Sequence, residues 1–195
     1  MSLQEFENGY WYTTQLKSFV KALGIISVTA ARKDELEKAI IEYLRHGKIK
    51  NPILKPSKGS QITDLEKGLS LDLPVVNYTS NKETKTFLMC EALKLAPDLP
   101  KKSGARYWLN RWREEKINNG IKITYRDLVK QFVKLSQTSD RLPRIPSTRF
   151  NNFITDFLAN EKNPRREKAI DAWENLKKMD IPKNYKSWVK SRDSK

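Results

Sequence analysis

Residues 13–47 read TTQLKSFVKALGIISVTAARKDELEKAIIEYLRHG, and this segment sets the organisation of the N-terminal part of the chain. Its first part places apolar residues at i, i+3, i+4 and i+7, the spacing of one helix face. These residues are Leu16, Phe19, Val20 and Leu23. Thr13 or Thr14 can cap the start of this helix, and Gly24 can end it. The sequence therefore predicts a short amphipathic helix between these caps.

A second helical pattern follows in the same segment. Its apolar residues recur at i, i+4, i+7 and i+8, and they are Leu36, Ile40, Tyr43 and Leu44. The pattern ends near His46 and Gly47. Residues 25–31, between the two helices, are rich in β-branched side chains, which favour extended backbone. Because both helices are short, we expect them to pack their apolar faces against each other.

The start of the second helix combines features that suit a phosphate group. Unpaired backbone N–H groups, the helix dipole and the cations of Arg32 and Lys33 converge there. A different interpretation is equally open, in which Asp34, Glu35 and Glu37 interact with the dipole and both cations are solvated. The pattern alone does not decide between these two interpretations.

Several short motifs in this segment match a known family, and they are Leu16-Lys17, Leu23-Gly24-Ile25, Lys33, Glu35-Leu36 and Ile40. Together they resemble a SAP domain and its helix–extended-loop–helix relatives, which include LEM-like modules. The resemblance implies a two-helix module that binds DNA, often AT-rich, without catalysis, whereas LEM-like modules bind proteins. The chain departs from the family at Ala30-Ala31, where SAP domains usually carry glycine. On this basis Lys17, Arg32 and Lys33 are the expected phosphate contacts.

The rest of the chain divides into a linker and a larger domain. Residues 48–61 contain two prolines, one glycine and no apolar period, which is typical of a linker. It separates the SAP-like module, residues 1–47, from residues 62–195. Helical patterns in the second domain cover Ala105 to Lys116, Thr124 to Leu135, Thr148 to Ala159 and Asn163 to Leu176. Alternating apolar residues between Ile62 and Tyr78 predict short strands, and residues 86–95 fit helix or strand. We therefore predict a mainly α protein with a few short β-strands.

The second domain also resembles, more loosely, segments that follow SAP-like modules in bacterial proteins of unknown function. The residues that carry this likeness are Leu69 to Val75, Tyr78, Thr124 to Val129, Arg149-Phe150 and Phe153. The likeness implies no activity for this domain.

The chain has 195 residues and a net charge of +15, and this charge is unevenly distributed. Residues 1–100 carry 14 Lys/Arg and 12 Asp/Glu, whereas residues 101–195 carry 24 and 11. A basic excess on part of a folded chain points to a polyanionic partner. Nucleic acid is the first candidate and an acidic protein the second, and the excess can also serve solubility alone.

Composition argues against several other classes. The single cysteine, Cys90, and the single histidine, His46, provide no disulfide framework, multi-cysteine zinc site or His-based triad. The chain has no P-loop, Gly-rich dinucleotide turn or Gly-x-Ser-x-Gly elbow, so we expect no cofactor, no metal and no catalysis. It also has no long apolar run and no signal-peptide design at its start. We expect a soluble bacterial protein of the cytoplasm that does not bind membranes.

The second half contains two further basic features. Arg141, Arg144 and Arg149 lie in an irregular stretch before a predicted helix, with no acidic residue between them. The helix that begins at Ala105 interleaves arginines with aromatic residues, a combination that can stack bases and neutralise phosphates. Burial of the tryptophans, with the arginines left in solvent, is the more common arrangement of such a helix.

These observations predict non-catalytic binding of nucleic acid, with duplex DNA as the expected ligand and RNA as the alternative. Affinity should come from phosphate contacts, with modest sequence preference. The candidate contacts are Lys17, Arg32, Lys33, Arg141, Arg144 and Arg149. Two other functions stay open: a protein-interaction adaptor that uses the helical pair as LEM-like modules do, and an accessory subunit of an enzyme.

Overall fold

The computed structural model describes residues 1–24, 31–48 and 62–193. All regular secondary structure in these ranges is helical, which confirms the mainly α class. The helices are α1 (Leu3–Asn8), α2 (Thr13–Ala22), α3 (Lys33–His46), α4 (Lys82–Leu95), α5 (Ala105–Asn118), α6 (Tyr125–Gln137), α7 (Arg149–Asn160), α8 (Arg166–Lys178) and α9 (Tyr185–Asp193). The predicted extended segment, apart from Ala31, and residues 49–61 of the predicted linker lie outside the described residues.

The short strands predicted between Ile62 and Tyr78 are wrong. Within the described ranges, β-type pairing is limited to one isolated antiparallel bridge between Pro74 and Thr124. The apolar side chains that alternate here instead pack, partly buried, against a helical core, and they are Leu69, Leu71 and Leu73. Pro74 has no N–H group to donate to a ladder. The backbone on either side of it hydrogen-bonds to the residues that flank Thr124, so the segment docks onto the start of α6.

The chain divides into two compact units. Unit 1 comprises Met1–Ser57 and Pro146–Lys195, and unit 2 comprises Lys58–Ile145. This division differs from the predicted one, in which residues 62–195 form a single domain. The last three helices belong to the same unit as the first three.

Two apolar clusters form the core of unit 1. The first joins α1, α2 and α3, and its buried residues are Phe6, Leu16, Val20, Ala31, Leu36, Ala39 and Ile40. The second joins α7, α8 and α9 around Trp173, which is 2% exposed. The ring of Tyr10 packs edge-on against Trp173 with 5.0 Å between centroids. This aromatic contact ties the N-terminal segment to the C-terminal helices, and no local sequence pattern reveals it.

Helix α3 begins and ends where the sequence predicts. Arg32 is its N-cap, in extended conformation, and its backbone N–H donates to the carboxylate of Glu35 at 2.7 Å. Gly47 follows the last turn with φ +68°, a left-handed conformation that glycine adopts without a steric penalty. Local chemistry therefore fixes both ends of this helix.

In unit 2, helices α4, α5 and α6 surround one core in which Tyr125 and Leu128 are buried. Residues 86–95, which fitted helix or strand, are helical within α4. The start of α6 is a capping box, which the sequence indicates by placing Asp127 three residues after Thr124. The Asp127 carboxylate accepts the Thr124 N–H at 2.8 Å, and this bond holds the pKa of Asp127 below its usual value.

Candidate nucleic-acid interface

The predicted phosphate contacts of the first helices have different environments. Lys17 is exposed on α2, and Arg32 is partly exposed at the start of α3. Lys33 instead lies against the fold, with its Nζ atom 4.5 Å from the centre of the Tyr10 ring. Burial lowers the pKa of Lys33. The fold therefore engages the Lys33 cation directly.

Glu37, one turn further along α3, is a buried carboxylate close to Lys33. It is 7% exposed, and its Oε1 atom has no hydrogen-bond partner. Its Oε2 atom lies 3.6 Å from Nη2 of Arg149. Burial raises the pKa of Glu37, and the positive charges of Arg149 and Lys33 oppose this rise. The carboxylate therefore depends on nearby cations for its stabilisation.

Arg149, at the start of α7, makes a second contact within unit 1. Its Nη1 atom donates to the backbone carbonyl of Gly9 at 2.8 Å, and its side chain is 23% exposed. The structure thus brings Arg149 and Lys33, predicted as members of separate phosphate sites, together around Glu37. Both cations have a structural role there.

Carboxylates also occupy the first turn of α3. Asp34 and Glu35 lie in this turn, and Glu35 accepts the backbone N–H of Arg32. Negative side chains at a helix N-terminus interact favourably with its dipole. They take up part of the surface that phosphate binding at this point would require.

The three arginines predicted as a second site do not belong to one unit. Arg141 and Arg144 are exposed in unit 2, whereas Arg149 belongs to unit 1. Between the first two, the carbonyl of Pro143 accepts a hydrogen bond from the indole of Trp108 at 2.8 Å. This bond attaches the arginine-bearing loop to α5.

The basic and aromatic residues of α5 pack mainly on one another and on unit 2. The guanidinium of Arg113 lies 4.3 Å from the centre of the Tyr78 ring. Glu114 pairs with Arg111 and with Arg113, at 3.3 Å in each case. Trp112 is partly buried against the core. The arrangement fits a structural role for this face better than a platform for stacking bases.

An open cleft in unit 2 collects cations that sequence reasoning did not single out as a site. Its volume is about 380 Å³, and it is lined by Lys82, Lys85, Thr86, Met89, Cys90 and Arg106. The five α4 residues share one helix face because their spacing is i, i+3, i+4, i+7 and i+8. That spacing is visible in the sequence, but the approach of Arg106 from α5 depends on tertiary packing.

A second concave surface lies on the first helices of unit 1. This groove has a volume of about 440 Å³, and Phe6, Trp11 and Phe19 are among its lining residues. The Phe6 ring stacks on Trp11 with centroids 5.6 Å apart and on Phe19 at 6.3 Å. The lining is mainly apolar, in contrast to the cationic cleft of unit 2.

Residues 1–24, 31–48 and 62–193 contain no cluster of three or more His, Cys, Asp or Glu side chains that could hold a metal ion. The helices in these ranges are too short or too polar to span a bilayer.

Comparisons with known proteins give no relative for this chain. No family model matches it, and neither a curated protein nor a solved structure matches it. The resemblance to SAP domains therefore rests on the motifs in residues 13–47.

Proposed function

We propose that this protein binds nucleic acid without catalysis. Duplex DNA is the preferred ligand, bound through its phosphates with modest sequence preference, and in a bacterial cell the protein acts in the cytoplasm at the nucleoid. The observation that carries the proposal is the charge of residues 101–144, which hold 12 Lys/Arg and 4 Asp/Glu. A surface with this excess attracts polyanions and gains free energy by releasing their counterions.

Pairing within unit 2 leaves this excess in place. Of the four carboxylates, Glu114 is paired with Arg111 and Arg113, which engages two of the twelve cations as well, and Asp127 accepts the N–H of Thr124. The remaining cations, exposed Arg141 and Arg144 among them, supply the positive potential that the proposal requires.

The N-terminal helices give additional support. Helices α2 and α3 pack through the apolar faces that their residue spacing predicts, and this packing is compatible with the two-helix module that the SAP resemblance implies. Lys17 and Arg32 are our candidates for phosphate contacts in this part. Lys33 and Arg149 contribute less, because Glu37 competes for both cations inside unit 1.

The test is fluorescence anisotropy with a labelled AT-rich duplex and the full chain. Micromolar or tighter binding is expected at about 50 mM salt, with a steep loss of affinity by about 200 mM. A GC-rich duplex, a single DNA strand and an RNA duplex serve as competitors, and they establish which nucleic acid is preferred. Absence of binding to every probe at the lower salt concentration would overturn the proposal.

A protein-interaction adaptor is the second candidate, and the apolar groove lined by Phe6, Trp11 and Phe19 favours it. This function predicts binding to a protein partner that persists at high salt and after nuclease treatment. Nucleic-acid binding predicts the opposite response to both treatments.

A further inference from the structure

The cleft between α4 and α5 has a simple electrostatic composition. Three of its lining side chains are cations, Lys82, Lys85 and Arg106, and none is a carboxylate. None of the three forms an ion pair within the part of the chain that the structure describes. Glu83 follows Lys82 in sequence, but it does not line the cleft. The three positive charges therefore act together on any ligand that enters the cleft.

The position of Arg106 is supported by the core. Its guanidinium lies 5.5 Å from the centre of the Phe132 ring on α6, a cation–π geometry. Lys85 is partly buried, whereas Lys82 and Arg106 are exposed. The cleft thus combines one cation near its wall with two that extend towards solvent, and a concave surface focuses their field.

We propose that this cleft binds the phosphate backbone of duplex nucleic acid, and the inference rests on the proposed function. A continuous strand fits the site better than a small molecule, because small-molecule sites enclose most of their ligand and this cleft is open. The lining offers a single uncharged hydrogen-bonding side chain, Thr86, and no Asn or Gln to read adenine. Contacts here are therefore independent of sequence.

The lining also favours a duplex over a single strand. Proteins that bind single strands stack bases on aromatic side chains. No aromatic residue lines this cleft, and the nearby Phe132 ring is already in contact with Arg106. Phosphate contacts without base stacking are what a duplex can supply, because its bases remain paired.

Cys90 provides a local probe of this cleft. It is the single cysteine of the chain, it is exposed, and it lines the cleft. Alkylation by a fluorescent maleimide therefore reports on one position in the intact protein. We expect duplex DNA to slow this reaction in proportion to the fraction of protein bound. Inorganic phosphate at the same phosphate concentration should not slow it.

A charge-matched pair of double variants completes the test. Lys85→Gln/Arg106→Gln removes two cations from the cleft, and we expect the slope of log affinity against log salt to fall by about two. Lys67→Gln/Lys94→Gln removes two exposed cations of the same unit that lie outside residues 101–144, and neither residue lines the cleft. This control should keep the slope of the unmodified chain.

The outcomes separate the inference from the proposed function. One outcome is that DNA binds while Cys90 stays equally reactive and both double variants give the same salt slope. That outcome would show that the cleft is not the binding site, and it would leave the proposed function intact. Protection of Cys90 by inorganic phosphate would contradict the proposal that the cleft binds a duplex, and would indicate a small-anion site instead. No binding of any nucleic acid overturns both proposals.

Discussion

Units 1 and 2 each bury a carboxylate, and they stabilise it in different ways. In unit 2, Asp64 is 0% exposed, and its Oδ1 atom accepts the N–H of Asn77 at 2.8 Å. Its Oδ2 atom accepts the N–H of Val76 at 3.1 Å and the hydroxyl of Tyr125 at 3.3 Å. In unit 1, one carboxylate oxygen of Glu37 has no hydrogen-bond partner.

This difference explains which cations are available to a ligand. A buried carboxylate that accepts several hydrogen bonds is stabilised without a counter-ion beside it. Asp64 is of this kind, so its stabilisation does not require the cations of unit 2. Glu37 lacks such donors, and Arg149 and Lys33 approach it instead. The number of hydrogen-bond donors around a buried carboxylate thus influences how many nearby cations stay available to a ligand.

The largest expected effect is the loss of stability in Asp64→Asn. The amide group keeps the size of the side chain, but it has a single oxygen. It can therefore accept the N–H of Val76 or that of Asn77 but not both, and the bond that remains is no longer made to a charged group. Hydrogen bonds to charged groups contribute about 1.5–3 kcal/mol each, so we expect a loss of about 4 kcal/mol. Urea denaturation of the full chain gives the change in free energy of unfolding. Hydrogen exchange should assign the loss to α4, α5 and α6.

Asp72→Asn is the matched control for this variant. Asp72 belongs to the same unit and pairs with Arg126 at 2.7 Å, but its side chain is 83% exposed. Exposed pairs contribute less than about 1 kcal/mol. Equal losses in the two variants would contradict the structural role assigned to the bonds of Asp64.

The second expected effect is the destabilisation of unit 1 by Arg149→Ala. This change removes the cation nearest to the Glu37 carboxylate and the donor to the carbonyl of Gly9. Breaking a buried pair costs about 3–5 kcal/mol, and we expect about 3 kcal/mol because Arg149 is 23% exposed. Urea denaturation measures the loss, and hydrogen exchange should place it in α3 and α7.

Two comparisons sharpen this result. Arg45→Ala breaks the exposed pair with Glu7 in the same unit and should cost less than about 1 kcal/mol. In a Glu37→Gln background, Arg149→Ala should cost less than it does alone, because the buried charge is gone. Identical costs in both backgrounds would show that Arg149 acts independently of Glu37.

Local patterns predicted the parts of the fold that depend on neighbours in sequence. The apolar faces of α2 and α3, the cap at Thr124 and the end of α3 at Gly47 all follow from short-range rules. The alternation over residues 69–75 was misleading, because those side chains pack singly on a helical core. A period of two indicates a strand only where a partner strand exists.

The candidate site was less predictable because its contacts are distant in sequence. Lys33 and Arg149 read as free cations in their own segments, and only tertiary packing brings both to Glu37. The cleft likewise needs Arg106 to approach the lysines of α4. Net charge was readable from the sequence, but the partner of each cation was not.

The smallest expected effect is the change in the free energy of unfolding caused by Glu37→Gln. Burial raises the pKa of Glu37, so the folded chain binds its proton more tightly than the unfolded chain does. The stabilisation from this proton is complete below the ordinary value of 4.5 and is lost as the pH rises through the raised pKa. Glu37→Gln lacks this titration. At neutral pH we expect the variant to equal or exceed the unmodified chain in stability, by up to about 1 kcal/mol.

Urea denaturation between acidic and neutral pH measures this change directly. The stability of the unmodified chain relative to Glu37→Gln should fall as the pH rises. Glu7→Gln, at an exposed carboxylate of the same unit, should show no comparable trend. A Glu37→Gln variant that loses most stability at neutral pH would mean that attraction to Arg149 outweighs the cost of burying the carboxylate.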